Sequence, residues 1–155
     1  MHMQPPRLIP ATEPHLIELS AWFKSESEAI CWGGSTIRFP ILVTQLMVDI
    51  QWDNGLSFSL MENDRLLGFA QAFERYGFYH LCRIAVHPRN RGEGFGKLLM
   101  RKLLDRVEFD QRGFSLFVYA SNRSARKFYE AMGFHYDTCP DEKKPNAESL
   151  FMVRQ

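Results

Sequence analysis

The sequence predicts one α/β domain in which helices flank a mixed but mostly antiparallel β-sheet. The chain has 155 residues without an internal repeat or a linker, so residues 1–155 are expected to form a single unit. Three extended segments between Leu56 and Val86 are joined by short polar links, which is typical of an antiparallel meander. A helix, a strand, a second helix and two strands follow by their patterns, and this order places helices on the faces of the sheet.

The N-terminal third is predicted to contain a short strand, "RLIP", and two helices. Thr12 can cap the first helix, and Pro14 suits its first turn. The glycines of "CWGGS" interrupt the helical pattern, and "PILVTQLMVDI" after Pro40 predicts the second helix. The apolar stripe of the first helix comprises Leu16, Ile17, Leu19 and Phe23.

The meander consists of "LSFSLM", Arg65 to Phe73 and Phe78 to Val86. Its last strand becomes apolar on both faces at Ile84, Ala85 and Val86, which indicates burial on both sides, and Pro88 ends it.

The C-terminal half alternates helices with strands. An amphipathic helix is predicted from Phe95, Leu99, Leu103 and Val107, which recur every four residues. The apolar segment "FSLFVYA" then predicts a buried strand, and the next helix runs from Asn122 to Gly133. Two last strands, "FHYDTC" and "SLFMV", flank the charged loop "PDEKKPNAE".

Composition excludes several classes of function. The formal net charge is +1, so neither nucleic acid nor an anionic membrane is an expected partner, and any anion site must be local. Three cysteines and five scattered histidines show no metal-ligand spacing, so we expect no metal and reduced, mostly buried thiols in a cytoplasmic protein. No apolar run is long enough for a signal peptide or a membrane span. Whether the first three residues, "MHM", belong to the natural protein stays open.

The stretch "RNRGEGFGKLLM" between Arg89 and Met100 is the clearest sign of a binding site. Its glycines alternate directly before a helix, whose free N-terminal amides and dipole favour a phosphate group. The spacing is neither that of the dinucleotide fingerprint nor that of the Walker A loop. The alternative is a glycine-rich turn that only joins a strand to a helix.

Two stretches together resemble the GNAT superfamily of N-acetyltransferases. Arg91, Gly94 and Gly96 match the family's phosphate-binding motif in order. The second signature, an Asn followed by a helix with a small residue, a Tyr and a terminal Gly-Phe, is matched by Asn122, Ala125, Tyr129, Gly133 and Phe134. The resemblance covers about residues 78–134.

The resemblance implies that acetyl-coenzyme A binds in a cleft where two central strands splay apart. The backbone of Ile84, Ala85 and Val86 would pair with the pantetheine arm, and Asn122 would contact that arm while also capping its helix. The backbone amides that would cradle the pyrophosphate belong to Arg91, Gly92, Glu93, Gly94, Phe95, Gly96 and Lys97.

The implied reaction is direct transfer of the acetyl group to an amine. By similarity, Tyr129 protonates the departing thiolate, and the amide of Val86 or a neighbour stabilises the oxyanion. The alternative for Tyr129 is an aromatic core residue. Family members that acetylate ribosomal proteins carry a catalytic Glu five residues before the Asn, but here that position is Phe117. Glu74 and His80 are the remaining candidates for a general base, with His80 expected to titrate near neutrality, unless both are only structural.

The acceptor is the least defined partner. Trp32 and Glu28 are candidate acceptor contacts, since an acidic group suits a cationic amine and an aromatic ring suits its apolar body; core and surface roles are the alternative. A small-molecule amine and a peptide amine both remain open, as does a homodimer. The rival function is a catalytically silent acetyl-coenzyme A sensor of the same fold.

Overall fold

Seven strands form one sheet in the order β1-β2-β3-β4-β5-β7-β6. A computed structural model describes residues 4–106, 112–140 and 147–155. Every neighbouring pair of strands is antiparallel except β4 and β5, which are parallel. The strands are β1 Arg7–Pro10, β2 Leu56–Glu62, β3 Arg65–Arg75, β4 Phe78–Val86, β5 Phe114–Tyr119, β6 His135–Asp137 and β7 Ser149–Arg154.

Five α-helices lie within the described residues: α1 Glu13–Ser20, α2 Glu26–Gly33, α3 Val43–Asp49, α4 Phe95–Arg106 and α5 Arg123–Ala131. Short 3-10 turns cover Trp52–Asn54 and Pro88–Asn90. The mixed, mostly antiparallel sheet with flanking helices confirms the predicted fold class. None of the helices in the described ranges is long and apolar enough to cross a membrane.

The two faces of the sheet are covered by different helices. One buried cluster joins the sheet to α4 through Leu99, Met100 and Leu103. The other joins the opposite face to α1, α2 and α3 through residues such as Leu16, Ala29 and Leu46. Helices on both faces cover the central strands. At the end of β4, burial on both faces was expected for Ile84, Ala85 and Val86, but only Ala85 is buried, whereas Ile84 and Val86 are half-buried.

The N-terminal prediction is wrong in three respects. The structure contains α2, which was not predicted, and α1 ends at Ser20 before Phe23. Polar residues fill the first turn of α2, so its start has no apolar periodicity; Ser25 caps it by accepting a hydrogen bond from the Glu28 amide at 3.1 Å. Ile17 was placed in the apolar stripe, yet it is 57% exposed. Val107 and most of the predicted charged loop lie outside the described residues.

The centre of the sheet opens where β4 and β5 diverge. The pairing of these strands comprises Tyr79 with Phe114 and His80 with Ser115, at the start of both strands. Beyond His80, β4 remains paired with β3 and β5 remains paired with β7. The two strands therefore splay towards their carboxyl ends, the place where α/β sheets commonly bind ligands.

Candidate functional site

A cleft of about 830 Å³ occupies the gap between β4 and β5. Its walls come from the second half of β4, the second half of β5, α2 with the loop after it, and the start of α5. Of the residues that the sequence selected, the cleft brings together Ile84, Ala85, Val86, Arg91, Asn122, Tyr129, His80, Trp32 and Glu28.

The end of β4 presents a free backbone edge to this cleft. The His87 amide donates to the Leu67 carbonyl at 2.8 Å, so His87 faces β3. Because strand residues alternate, Ala85 also faces β3, and the amides of Ile84 and Val86 point to the cleft. The Arg91 Nε donates to the Val86 carbonyl at 3.2 Å and fixes the turn that follows the strand.

The glycine loop between β4 and α4 has two distinct reasons for its glycines. Gly92 and Gly94 have φ of 81° and 87°, a conformation that disfavours other residues. Gly96 lies inside α4, where a Cβ would meet only the Val86 Cγ2 at 3.8 Å. Neither backbone strain nor packing explains Gly96, so close approach of a ligand is the better explanation.

The first turn of α4 provides the predicted amide donors. Its first intrahelical bond runs from the Leu98 amide to the Gly94 carbonyl at 3.1 Å. The preceding amides, those of Phe95, Gly96 and Lys97, have no carbonyl one turn back and can bind an anion. The Glu93 carboxylate accepts from Asn90 Nδ2 at 3.0 Å, which turns this side chain towards Asn90.

Asn122 and Tyr129 stand where α5 meets the cleft. The Asn122 Oδ1 accepts from the Ala125 amide at 3.2 Å, which caps α5 and leaves the Nδ2 donor for another group. Tyr129 packs against Phe128 and Phe134 with ring centroids 5.4 and 6.0 Å away, and it also lines the cleft. Burial raises the pKa of the Tyr129 phenol, so the hydroxyl stays protonated at neutral pH and can donate a proton.

His80 lines the cleft, but in an unexpected protonation state. It is 3% exposed, and its Nδ1 lies 2.8 Å from the Ser115 Oγ. Burial lowers the pKa of His80 to about 3, with a further contribution from Arg75 and Arg83. The expectation that His80 titrates near neutrality is therefore wrong, because a buried imidazole beside two guanidinium groups resists a proton.

Glu74 lies apart from the cleft. Its side chain is 62% exposed, and its carboxylate lies 3.6 Å from Arg112. Glu74 pairs with Tyr79 near the start of β4, whereas the strands diverge after His80. This geometry gives no support to Glu74 as the general base. Phe117, which replaces the family's Glu, packs against Tyr76 and His80 with centroids 5.6 and 5.0 Å away and cannot accept a proton.

The two predicted acceptor contacts also have structural partners. Trp32 stacks on Phe23 with centroids 4.6 Å apart, and its Nε1 donates to the Arg83 carbonyl at 2.9 Å. The Glu28 carboxylate accepts from the Lys24 amide at 2.5 Å, so it is engaged in capping α2. Both residues still line the cleft.

Sequence reasoning missed Arg83. This residue lines the cleft and has φ of 49°, in the left-handed region. The register of β3 against β4 shifts between Phe69 and Gln71, so Arg83 lies in a bulge. The signal was visible in the sequence, since a single arginine interrupts the apolar run "LCRIAV".

The cysteines form no disulfide, and their burial differs from the prediction. Cys31 is exposed, while Cys82 and Cys139 are half-buried. Burial raises the pKa of the Cys82 thiol, which makes it a poor nucleophile. The described residues contain no group of His, Cys, Asp and Glu that could hold a metal.

Comparison with known protein families agrees with this site. The model of the acetyltransferase (GNAT) family matches residues 18–134, which is most of the chain and includes both motifs. The chain belongs to the GNAT acetyltransferase family. The matched range contains β2 to β5, the glycine loop and α5, so the resemblance inferred from the two motifs is confirmed.

The individual relatives share modest sequence identity with this chain. The ribosomal protein bS18-alanine N-acetyltransferase of Haemophilus influenzae is 38% identical over 88 residues, covering 55% of this chain and 58% of that protein. The match thus spans less than two thirds of the relative's length. An acetyltransferase structure from Thermus thermophilus superposes with a TM-score of 0.74 at 20% identity, covering 99% of both chains.

A second solved structure shares the same GNAT fold. The PaiA N-acetyltransferase from Thermoplasma acidophilum, solved in complex with coenzyme A, superposes with a TM-score of 0.70 at 16% identity. This superposition covers 98% of this chain and 99% of that one. At these identities the likeness of both structures concerns the fold.

Proposed function

We propose that this chain transfers an acetyl group from acetyl-coenzyme A to a primary amine by direct attack within a ternary complex. One observation carries the proposal: the gap between β4 and β5 has free strand amides along one side, Arg91 at the turn that leads into the glycine loop, and the Tyr129 phenol on its wall. A diphosphate, an amide-rich arm and a thioester need these three kinds of partner.

The chain would hold the cosubstrate largely through its backbone. The free edge at Ile84 and Val86 can pair with the amides of the pantetheine arm in the manner of an added strand. The amides of the glycine loop and of the first turn of α4 would donate to the pyrophosphate, and Arg91 would add positive charge there. The Thermoplasma relative, solved with coenzyme A, supports this choice of ligand.

Chemistry requires a neutral amine, an oxyanion donor and a proton for the leaving thiolate. The Val86 amide points into the cleft and can donate to the thioester carbonyl oxygen as it becomes negative. The new nitrogen–carbon bond forms, the carbon–sulfur bond breaks, and Tyr129 donates its proton to the sulfur. The proton released by the amine passes to solvent, since neither Glu74 nor Phe117 can take it at the cleft.

The acceptor is proposed only as a primary amine. The Haemophilus relative is named for acetylating an alanine of ribosomal protein bS18, which is one class of amine acceptor. Phe117 in place of the expected Glu is a reason to test other classes as well. We further propose a cytoplasmic location, which agrees with three cysteines that form no disulfide.

Release of free thiol from acetyl-coenzyme A, measured against a panel of primary amines, tests the proposal. We expect amine-dependent turnover in the parent and acetylated product by mass spectrometry. Calorimetry on the same sample measures acetyl-coenzyme A binding separately. Tight binding without turnover on any amine would instead favour the silent sensor.

A further inference from the structure

Arg83 adopts a backbone conformation that residues other than glycine rarely adopt. Its φ of 49° accompanies the bulge in β4, where the register against β3 shifts between Phe69 and Gln71. A bulge re-aims a side chain, and strained non-glycine residues concentrate at functional sites. The Trp32 indole holds the bulge by donating to the Arg83 carbonyl at 2.9 Å.

The Arg83 guanidinium is fixed by neutral acceptors alone. Its Nε donates to the Gly33 carbonyl at 2.9 Å, and its Nη1 donates to the Gln71 Oε1 at 2.8 Å. A weaker bond joins Nη1 to the Ile50 carbonyl at 3.4 Å. These bonds position the guanidinium without neutralising its charge.

A second arginine, Arg75, also lines the cleft. Arg75 lies 4.3 Å over the Phe73 ring, and its Nη2 donates to the Gln51 Oε1. In the described parts of the chain, the ion pairs within 4.0 Å are Arg38 with Asp49 and Arg112 with Glu74, so Arg75 and Arg83 have no carboxylate partner. Asp49, the nearby acid, is already bonded to Arg38 and Gln45.

Both arginines also line a second opening. This opening has a volume of about 540 Å³ and shares Thr36, Arg75 and Arg83 with the cleft. Such a volume suits a small molecule. Arg75 and Arg83 therefore line both the cleft and a neighbouring opening, which Arg38 and Asp49 also line.

We infer that the acceptor is a small amine that also carries a carboxylate, and that Arg75 and Arg83 bind this carboxylate. The inference deepens the proposed function and rests on it. Arginine suits a carboxylate because its planar fork can donate two parallel hydrogen bonds. An amine without an anionic group would bring a further positive charge into a cationic site.

The two arginines would orient the acceptor without acting as a base. Their positive charge acts on nearby groups, since Arg75 and Arg83 contribute to the lowering of the pKa of His80 after burial. A carboxylate bound to the arginines offsets this charge, so the arginines are not assigned a role in deprotonating the amine. Arg75 and Arg83 are therefore positioning residues.

Matched acceptors test the inference directly. L-phenylalanine is compared with L-phenylalaninamide and phenethylamine, and β-alanine with ethylamine, by thiol release at one pH. We expect kcat/KM to be at least tenfold higher for the carboxylate member of each set. Equal or higher kcat/KM for the members that lack a carboxylate, or turnover only with an alanine-initiated peptide without a carboxylate, would overturn this inference and leave the proposed function intact.

Variants assign the preference to the arginines. Because Arg83 also holds the bulge, half-exposed Arg75 is changed first. Arg75→Gln should raise the KM for the acceptor and abolish the preference for a carboxylate, while the KM for acetyl-coenzyme A stays unchanged. Arg83→Lys should retain part of the preference, because lysine keeps the positive charge. The matched control is Arg7→Gln, an exposed arginine at the far edge of the sheet. A preference that survives undiminished in Arg75→Gln overturns the assignment, and no turnover of the parent with any amine overturns it together with the proposed function.

Discussion

Tyr129 has the protonation state that a proton donor needs, because burial raises the pKa of its phenol. Tyr129→Phe keeps the ring packed between Phe128 and Phe134 and removes only the hydroxyl. We expect kcat to fall by roughly 10²–10⁴, the range for loss of a general acid, with little change in acetyl-coenzyme A affinity. Steady-state kinetics and calorimetry measure the two quantities. An unchanged kcat would reduce Tyr129 to a packing residue.

His80 should make the fold sensitive to acid. Its pKa is about 3 in the folded protein against 6.5 in the unfolded chain, so protonation favours unfolding. Neutral His80 contributes fully to the free energy of unfolding above pH 6.5, and this contribution is lost as the pH falls towards 3. pH 4.5 lies roughly two pH units below the pKa of histidine in the unfolded chain, and each unit corresponds to ~1.4 kcal/mol. The free energy of unfolding should therefore fall by about 3 kcal/mol at this pH.

Urea denaturation of the parent and of His80→Gln at pH 7 and pH 4.5 measures this effect. The variant should start with a lower unfolding free energy and lose less of it on acidification. If both proteins lose the same amount, another group is responsible for the acid sensitivity.

At the scale of elements, α4 and its glycine loop allow a test of ligand approach that spares the fold. Gly96 is helical, and an added Cβ meets only an ordinary contact with Val86. Gly96→Leu should therefore keep or slightly increase stability, since glycine is unfavourable in a helix. It should weaken acetyl-coenzyme A binding by tenfold or more, about 1.4 kcal/mol.

The matched control for Gly96→Leu is Arg101→Leu, which adds the same residue to the exposed face of the same helix. Calorimetry on both variants, with melting curves to confirm folding, separates obstruction of the ligand from damage to α4. Equal affinity for acetyl-coenzyme A in the parent and Gly96→Leu would show that the diphosphate does not bind at this loop.

Elements differed in how well the sequence predicted them. The loop before α4 and the Asn122 start of α5 were predicted because backbone conformation and capping depend on a few adjacent residues. Helix α2 was missed because its first turn is polar and its apolar side chains pack against a sheet that local sequence does not show. The bulge at Arg83 depends on the register between two strands, which is set by tertiary packing.

At the scale of the whole molecule, the sequence predicted the fold better than the catalytic details. The order of elements and two motifs led to the splayed mixed sheet, since both follow from chain order. The base candidates were chosen by residue type and strand position. Neither the exposure of Glu74 nor the burial of His80 beside two arginines could be predicted without the neighbours that the fold brings to them.

The narrow join between β4 and β5 also bears on how long the protein survives in a cell. Two residue pairs connect a four-stranded half of the sheet to a three-stranded half. A molecule bound between the two halves of the sheet would stabilise the folded state. At a free concentration 100 times its dissociation constant, it would add about 2.7 kcal/mol to the free energy of unfolding. Hydrogen exchange should slow at the Ile84 and Val86 amides on adding coenzyme A, and proteolysis should slow with it. Scarcity of the acetyl donor would then lower the amount of the enzyme as well as its rate, by leaving empty copies open to degradation.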